Sequence, residues 1–398
     1  MTNHLVVFLD ELYTRVGRRY YGRHATLLFV LQLAQHFDAA TLMVNVRDQG
    51  APGADEPLVA DLSDSRLEVV ELPPYRSLAG SLAKLPAVAG TFWRRRREID
   101  SARTVFIRVP SLMGLLFGEF CRLRGRDPWY HVCANLETQA NPIRRGGSGE
   151  GLWKILARSL SLLQHVAVRG LRMSAVGAEL EEKFSRGVPL VPRPRAVFNH
   201  FESLLGEAML FRRPDTCRGP EIRLLRVCQL DHSKGMEVLL PAVRILREQG
   251  LPVRLEVVGG GAPDYLRRLK DLAASLGLTP VTTWLGPLTY GDLLRTYREA
   301  DLQVLSSWGE GLPRVILEGW GSCLPLVSTA VGGIPRLVTH EESGLLVPPG
   351  DPEALAREIA RLIRDGELRR RLIARGFALA QEYSQERQTA RLAALLRA

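Results

Sequence analysis

Short apolar runs and amphipathic stretches alternate through the first half of the chain. Residues 5–9, 41–46, 67–72, 104–109 and 129–133 are dense in Val, Ile, Leu and aromatic side chains, the pattern of strands buried on both faces. Between them, residues 25–37 and 112–124 carry apolar side chains at helical spacing, and a further helix is expected over 152–164. This strand-then-helix rhythm predicts a parallel sheet covered by helices. Residues 144–151, rich in Gly, Ser and Arg, interrupt it and are expected to form a mobile loop.

Proline and arginine rise over 187–194 and again over 212–220, where periodicity is lost, so the inter-domain region is placed between 198 and 220. The rhythm then restarts. Strands are expected at 224–228, 255–258, 281–285, 302–305 and 326–328, with helices at 237–248, 262–276, 290–300 and 314–321. Asp351 followed by Pro352 reads as an N-cap and first helical position, and Leu355, Ile359, Leu362 and Ile363 line one face of the helix they open. The expected class is α/β, with two doubly wound parallel sheets and a ligand cleft at the carboxyl ends of their strands. Neither half has G-x-G-x-x-G after its first strand, which speaks against a nicotinamide dehydrogenase.

Composition adds two constraints. With 398 residues and 46% hydrophobic side chains the chain can fill sizeable cores, and no apolar stretch approaches the ~18 residues of a membrane span. Residues 5–9 lack a basic lead and a small-residue cleavage site, so they read as a strand and not as a signal peptide. The five cysteines are scattered without C-x-x-C spacing, which argues against a disulfide framework or zinc site and for a reducing cytoplasm. The net charge of +10 is uneven: residues 1–200 hold 27 Lys and Arg against 19 Asp and Glu, and residues 201–398 hold 26 against 24. A basic first half suits an anionic partner, such as a nucleotide sugar, a lipid phosphate or a membrane surface, or is simply an arginine-rich solvated surface.

The densest chemistry lies in S-S-W-G-E-G-L-P-R-V-I-L-E-G-W-G, residues 306–321. A strand end is followed by a glycine-flanked Glu310 and then by a helix start near Pro313, whose unpaired amides favour an anionic group such as a diphosphate. Glu318 is expected in the second turn of that helix. Two carboxylates so placed can accept hydrogen bonds from vicinal hydroxyls at two points along a nucleotide sugar, although glutamates on an amphipathic helix are more often solvated.

At these residues the chain resembles the retaining glycosyltransferases of family four, which have the GT-B fold. Glu310 and Glu318 match the family's E-x7-E. Val257 through Pro263 is similar to its "G-x-G-P" strand end, and Trp284 through Leu288 to its "F-L-G-x-V". Val331-Gly332-Gly333-Ile334-Pro335 and Ser343 through Asp351 match its closing motifs, and Tyr383-Ser384-Gln385-Glu386-Arg387 resembles the F-S-W-E-R before the last helix. The resemblance covers residues 222–398; the first half shares only the strand–helix rhythm. It implies two Rossmann-like domains: an acceptor-binding domain at 1–205, a nucleotide-sugar-binding domain at 206–380, and a helix at 381–398 that returns to the first.

The resemblance also implies roles. Glu310 would contact the donor sugar and Glu318 the ribose hydroxyls. The amides of Gly311, Leu312 and Arg314 would cradle the diphosphate, with Gly260 at the glycine-rich strand end. Leu285, Gly286 and Leu288 would meet the base through their backbone. Lys234 would neutralise the leaving phosphate, the main catalytic work where departure of the nucleotide leads the reaction. The sugar would react on one face with retained configuration, a phosphate oxygen taking the acceptor's proton. No metal and no cofactor beyond the nucleotide diphosphate sugar is implied, nor a nucleic-acid partner.

Two departures stand out. Where the family usually has Gly-Arg, the chain has Cys228-Gln229, so a phosphate cation is missing; Gln229 donates a hydrogen bond without charge, and Arg226, His232 or the Arg314 side chain are candidates to replace it. Where the family has Gly-Gly after the first strand, the chain has His24-Ala25, with Gly22 and Arg23 just upstream able to approach the diphosphate and Arg18, Tyr20 and Tyr21 to face the acceptor, or to form a basic loop. His131 is a candidate to orient the acceptor or a core residue; Asn135 and Glu137 are alternatives. Arg94 to Arg97, after Thr91-Phe92-Trp93, would touch anionic lipid on the inner face of the membrane or form a solvated charge run. The leading expectation is thus an enzyme acting on a glycan, lipid-linked or small-molecule acceptor. The alternative is a non-catalytic GT-B partner of another transferase.

Overall fold

A computed structural model of the protein describes residues 3–17, 19–21, 24–48, 67–75, 78–134, 150–201, 203 and 205–398. The chain divides into two compact units, one formed by Met1–Leu204 with Gln385–Ala398, the other by Leu205–Ser384. The boundaries read from sequence were 205/206 and 380/381. The second shifts because one helix runs on to Glu382 before the chain passes to the first unit's last helix.

In the first unit the elements are β1 (His4–Val16), β2 (Arg19–Tyr21), α1 (His24–Ala34), β3 (Ala39–Asp48), β4 (Leu67–Leu72), α2 (Leu78–Arg94), α3 (Arg96–Ser101), β5 (Thr104–Val109), α4 (Leu112–Leu123), β6 (Trp129–Val132), α5 (Glu150–Ala167), β7 (Arg172–Val176), α6 (Ala178–Arg186) and β8 (Ala196–His200). The sheet order is β4-β3-β1-β5-β6-β7-β8, with β2 paired antiparallel to β1 and every other pair parallel. Successive residues of β1 serve opposite faces: Val6 and Phe8 join one apolar cluster, Leu5, Val7 and Leu9 the other. That double burial is what the continuous apolar run encoded.

Two expectations in this unit are corrected. The first strand does not stop at residue 9. It passes a register shift between Leu9 and Leu12, continues to Val16, and turns back through Gly17 into β2. Tyr20 and Tyr21 therefore lie in a hairpin strand and not in an open loop, and the Tyr20 hydroxyl donates to Glu71 Oε1 at 2.6 Å. In addition, β8 fills part of the presumed linker.

The last helix, α14 in chain order (Gln385–Arg397), belongs to this unit. Leu392, Ala393 and Leu396 join Phe29, Val30 and Leu33 of α1 in one apolar cluster. Thr104 Oγ1 donates to the Leu396 carbonyl at 3.1 Å, and Arg103 Nη2 to the Arg397 carbonyl at 2.6 Å, so the start of β5 holds the helix's last turn.

The second unit runs β9 (Ile222–Val227), α7 (Met236–Glu248), β10 (Val253–Val258), α8 (Pro263–Ser275), β11 (Thr282–Gly286), α9 (Tyr290–Glu299), β12 (Leu302–Leu305), α10 (Val315–Gly321), β13 (Leu326–Thr329), α11 (Ile334–Leu337), β14 (Leu345–Val347), α12 (Pro352–Arg364) and α13 (Gly366–Glu382). All pairs are parallel and the order is β11-β10-β9-β12-β13-β14, the doubly wound order whose direction of winding reverses between the first strand, β9, and the fourth, β12. Asp351 caps α12 as the sequence indicates, its carboxylate accepting from the Ala354 amide at 2.8 Å. The segment before β9 is pinned to α13 by Asp215, which accepts from Arg369 Nε at 2.7 Å and Nη2 at 3.1 Å.

Leu392 is buried in the cluster with Phe29, Val30 and Leu33, so its truncation removes apolar contacts and leaves a cavity. Leu392→Ala is expected to destabilise the first unit by about 2–5 kcal/mol, read as a lowered urea midpoint with the second unit's transition unchanged.

Candidate functional site

The reversal of winding brings together the loops that leave β9 and β12. After β9 the chain forms a tight 3-10 turn over His232–Lys234, initiated by Asp231, whose carboxylate accepts from the Ser233 amide at 2.8 Å. Gly235 ends this turn at φ +63°; a Cβ there would stand 1.9 Å from the Ser306 carbonyl oxygen, so only glycine lets the two loops approach. They are then laced together. The Trp308 amide donates to the Ser233 carbonyl at 2.8 Å, and Ser306 Oγ to the Lys234 carbonyl at 3.0 Å.

This lacing delivers Lys234 onto Glu310. Nζ donates to Oε1 and Oε2, both at 2.9 Å, and both side chains are largely buried. Ser307 Oγ adds a second donor to Oε1 at 2.7 Å, the third hydrogen bond to this carboxylate. From below, Thr329 Oγ1 fixes the Ser307 carbonyl at 2.7 Å. Gly332, at φ +55°, lies directly under Glu310: a Cβ would fall 1.8 Å from the Glu310 carbonyl oxygen. The Gly333 amide donates to the carbonyls of Glu310 at 3.3 Å and Gly311 at 3.0 Å. The Val-Gly-Gly motif is thus the floor on which the glutamate loop rests.

Glu318 sits in the first turn of α10, not the second, because the helix begins at Val315. Its Oε2 accepts from the Tyr297 hydroxyl at 2.9 Å. Burial raises its pKa above the ordinary 4.5, against the opposing effects of the Tyr297 hydrogen bond and the Arg314 charge. Tyr297 is fully buried, and its pKa is pushed well up by burial and then by Glu318. Arg314 is exposed beside this carboxylate. Among the described residues, the amides of Gly311, Leu312 and Arg314 have no acceptor in the protein.

The remaining donor-side residues gather at the ends of β9, β10 and β11. Gln229 is exposed. The Leu230 amide donates to the Gly260 carbonyl at 2.7 Å, and the Gly259 amide to the Gly286 carbonyl at 2.9 Å, so the two glycine-rich strand ends are tied to the turn after β9. Leu285 is exposed at the end of β11, and Leu288 packs against a small cluster containing Leu225 and Val258. Of the three candidates to replace a missing cation, Arg226 is fully buried and His232 is engaged at 3.0 Å with Glu237, leaving the Arg314 side chain exposed.

The first-unit candidates fare differently. His131 is not positioned to meet an acceptor. It is fully buried on β6, stacked on Phe29 with centroids 5.6 Å apart, and its Nδ1 shares a hydrogen bond of 2.7 Å with Ser174 Oγ. A strand buried on both faces leaves its histidine no route to solvent. His24 opens α1. Gly22, Arg23, Arg18, Asn135, Glu137 and most of 144–151 lie outside the described residues.

Sequence reasoning missed Ser307 and Tyr297, each ordinary in isolation and significant only because the fold puts it against a glutamate. It also missed the polar cluster where the first sheet reverses. There Asp10 accepts from Asn45 Nδ2 at 2.9 Å, the Tyr75 hydroxyl at 2.5 Å and Ser111 Oγ at 2.5 Å. Among the described residues, no group of three His, Cys, Asp or Glu is arranged to hold a metal ion.

Two Rossmann-like parallel-sheet units define the fold class as GT-B. The structure of Anabaena Alr3699/HepE in complex with UDP is similar over 99% of both chains, with TM-score 0.70 at 19% identity, and that protein has also been solved with UDP-glucose. Residues 212–378, within the second unit, match the family described as Glycosyl transferases group 1. The D-inositol 3-phosphate glycosyltransferase of Saccharomonospora viridis is 39% identical over 163 residues, 39% of this chain and 38% of that protein. The amylovoran biosynthesis glycosyltransferase AmsK of Erwinia amylovora is 35% identical over 147 residues, 35% of this chain and 36% of that protein. The matched segment therefore spans less than half the length of these relatives.

The raised pKa of Glu318 has a consequence for stability. A carboxyl whose folded pKa lies above its unfolded value favours the fold while protonated, and this contribution is lost as pH rises through the folded value. Glu318→Gln, which can still accept from Tyr297, is expected to gain thermal stability over the wild type as pH rises from about 4 to about 8, measured by calorimetry in the absence of nucleotide.

Proposed function

We propose that the protein is a retaining glycosyltransferase that moves a sugar from a nucleoside diphosphate to a glycan, lipid-linked or small-molecule acceptor. The observation that carries this reading is the clasp of Lys234 on both oxygens of Glu310 inside the segment matching the family. A lysine and a glutamate that neutralise each other are poised for exchange. An incoming diphosphate gives Lys234 a doubly charged partner, and Glu310 becomes free to accept hydroxyls of the donor sugar.

The chemistry follows from those contacts. As the bond from the anomeric carbon to the diphosphate breaks, negative charge grows on the leaving phosphate beside Lys234 and the unpaired amides of Gly311, Leu312 and Arg314. The acceptor attacks from the same face and a phosphate oxygen takes its proton. Lys234 supplies the charge stabilisation in this scheme, without a metal. Glu318 receives the ribose hydroxyls, its buried setting making a hydroxyl pair a better partner than water. A uridine nucleotide is the first donor to try, since the structurally similar Anabaena protein was crystallised with UDP and UDP-glucose.

The compartment we propose is the cytoplasm, supported by five cysteines free of disulfides. Among the described residues no helix is long and apolar enough to cross a membrane. We also propose peripheral contact with anionic lipid through α2 and α4. Trp93 is exposed with Arg96 stacked 4.8 Å from its ring, and Leu123 stands out beside Arg122 and Arg124.

Screening nucleotide sugars by thermal stabilisation identifies the donor, because a ligand of the native state raises its apparent stability. With that donor, Lys234→Ala is expected to lower transfer by about 100-fold or more. Gln229→Arg is tolerated, and slow donor hydrolysis disappears in Glu310→Ala. Full activity of the lysine variant sinks the assignment. Replacing Arg94, Arg96 and Arg97 by Gln is expected to weaken sedimentation with phosphatidylglycerol vesicles; unchanged binding rejects the membrane contact.

A further inference from the structure

Resting on that reading, we infer that Arg226 is a positioning residue that supplies the site's second positive charge from beneath, in place of a cation at position 229. The position is anomalous by its own surroundings. Arg226 lies on β9 on the same face as Ile222 and Leu224, both members of the apolar core, yet it is among the largest fully buried side chains of the protein. Burying a guanidinium is costly unless charge and hydrogen bonds compensate it. Among the described residues no carboxylate pairs with it, and its Nε has no partner.

Its contacts are instead with the two halves of the proposed catalytic pair. Nη2 donates to the Lys234 carbonyl at 2.9 Å and to Ser307 Oγ at 2.8 Å. Ser307 Oγ, occupied as an acceptor on that side, turns its own hydrogen to Glu310 Oε1 at 2.7 Å. One guanidinium nitrogen thus fixes the backbone that carries the lysine and the hydroxyl that orients the glutamate. Arg226 also opposes, as the smallest contribution, the rise of the Tyr297 pKa that burial and Glu318 produce.

The charges decide what this is for. Lys234 and Glu310 neutralise each other. Arg226 stands behind the clasp as a buried charge that, among the described residues, no carboxylate pairs. A diphosphate docking against Lys234 is the anion that balances it. Gln229 is exposed and uncharged at the place where the resemblance calls for an arginine. The chain has therefore moved the charge three residues back, from the rim of the site into its floor, where water screens it less.

The test compares Arg226→Met, Arg226→Lys, Arg226→Met with Gln229→Arg, and Ser307→Ala, in the full chain, with UDP and inorganic pyrophosphate as probes in titration calorimetry. Arg226→Met is expected to weaken both probes by about tenfold or more, and adding Gln229→Arg recovers most of that loss. Arg226→Lys keeps the charge and holds probe affinity within about threefold, but lowers kcat because one ammonium reproduces the double contact poorly. Ser307→Ala lowers kcat with probe affinity retained. If Arg226→Met binds UDP like the wild type, the inference fails while the glycosyltransferase reading stands. If pyrophosphate binding depends on Arg226 and UDP does not bind at all, the charge role stands and the nucleotide reading fails. If neither probe binds the wild type, both fall. Should Arg226→Met not fold, a tenfold loss of probe affinity in Arg226→Lys overturns the inference and retained affinity supports it.

Discussion

The close approach of two loops at the point where the second sheet reverses is the constraint on which the site depends. It exists because β9 and β12 are neighbours whose following helices cover opposite faces, which leaves the carboxyl ends of both strands open. Gly235 and Gly332 then make the approach possible from two sides, each standing where any side chain would collide with a carbonyl. Residues 76 apart in sequence are thereby held at 2.9 Å. Everything else in the site, from Ser307 to the floor at Gly333, fixes the direction from which Lys234 and Glu310 meet.

A second theme is the handling of charge in a dry place. Within one small region the chain holds a lysine–glutamate clasp, a glutamate whose burial favours its protonated form, and an arginine without a carboxylate. None of these is a cheap stabilising device, since a buried ion pair seldom exceeds a hydrophobic replacement in stability. Their concentration at the reversal point is the pattern expected where a fold carries a functional site.

Much of this was legible in the sequence. Residues 302–305 are a strand as the apolar run indicates, the Asp351-Pro352 cap forms, and the glycine-rich motifs fall at strand ends. Local signals of this kind survive because they are set by the pleat period and by capping, which neighbours reinforce. The first unit was less transparent. Its opening strand outran its apolar core through a register shift, and a hairpin replaced a loop, because β2 is held by pairing to β1 and by Tyr20 bonding to Glu71, neither of which leaves a periodic trace. His131 shows the same limit: a histidine on a strand end looks available until the sheet and α1 close over it.

By itself, then, the sequence determined the class of fold, the glutamate pair, the lysine and the absence of an arginine at position 229, because residue identity and spacing carry those directly. Only the tertiary structure decided that Glu318 is buried, that Ser307 and Tyr297 are the partners of the two glutamates, and that Arg226 stands behind the clasp. Those facts depend on which strands lie side by side and on how far each side chain is removed from water. Neither is a property of any short stretch of chain; both arise when distant segments share one low-dielectric place.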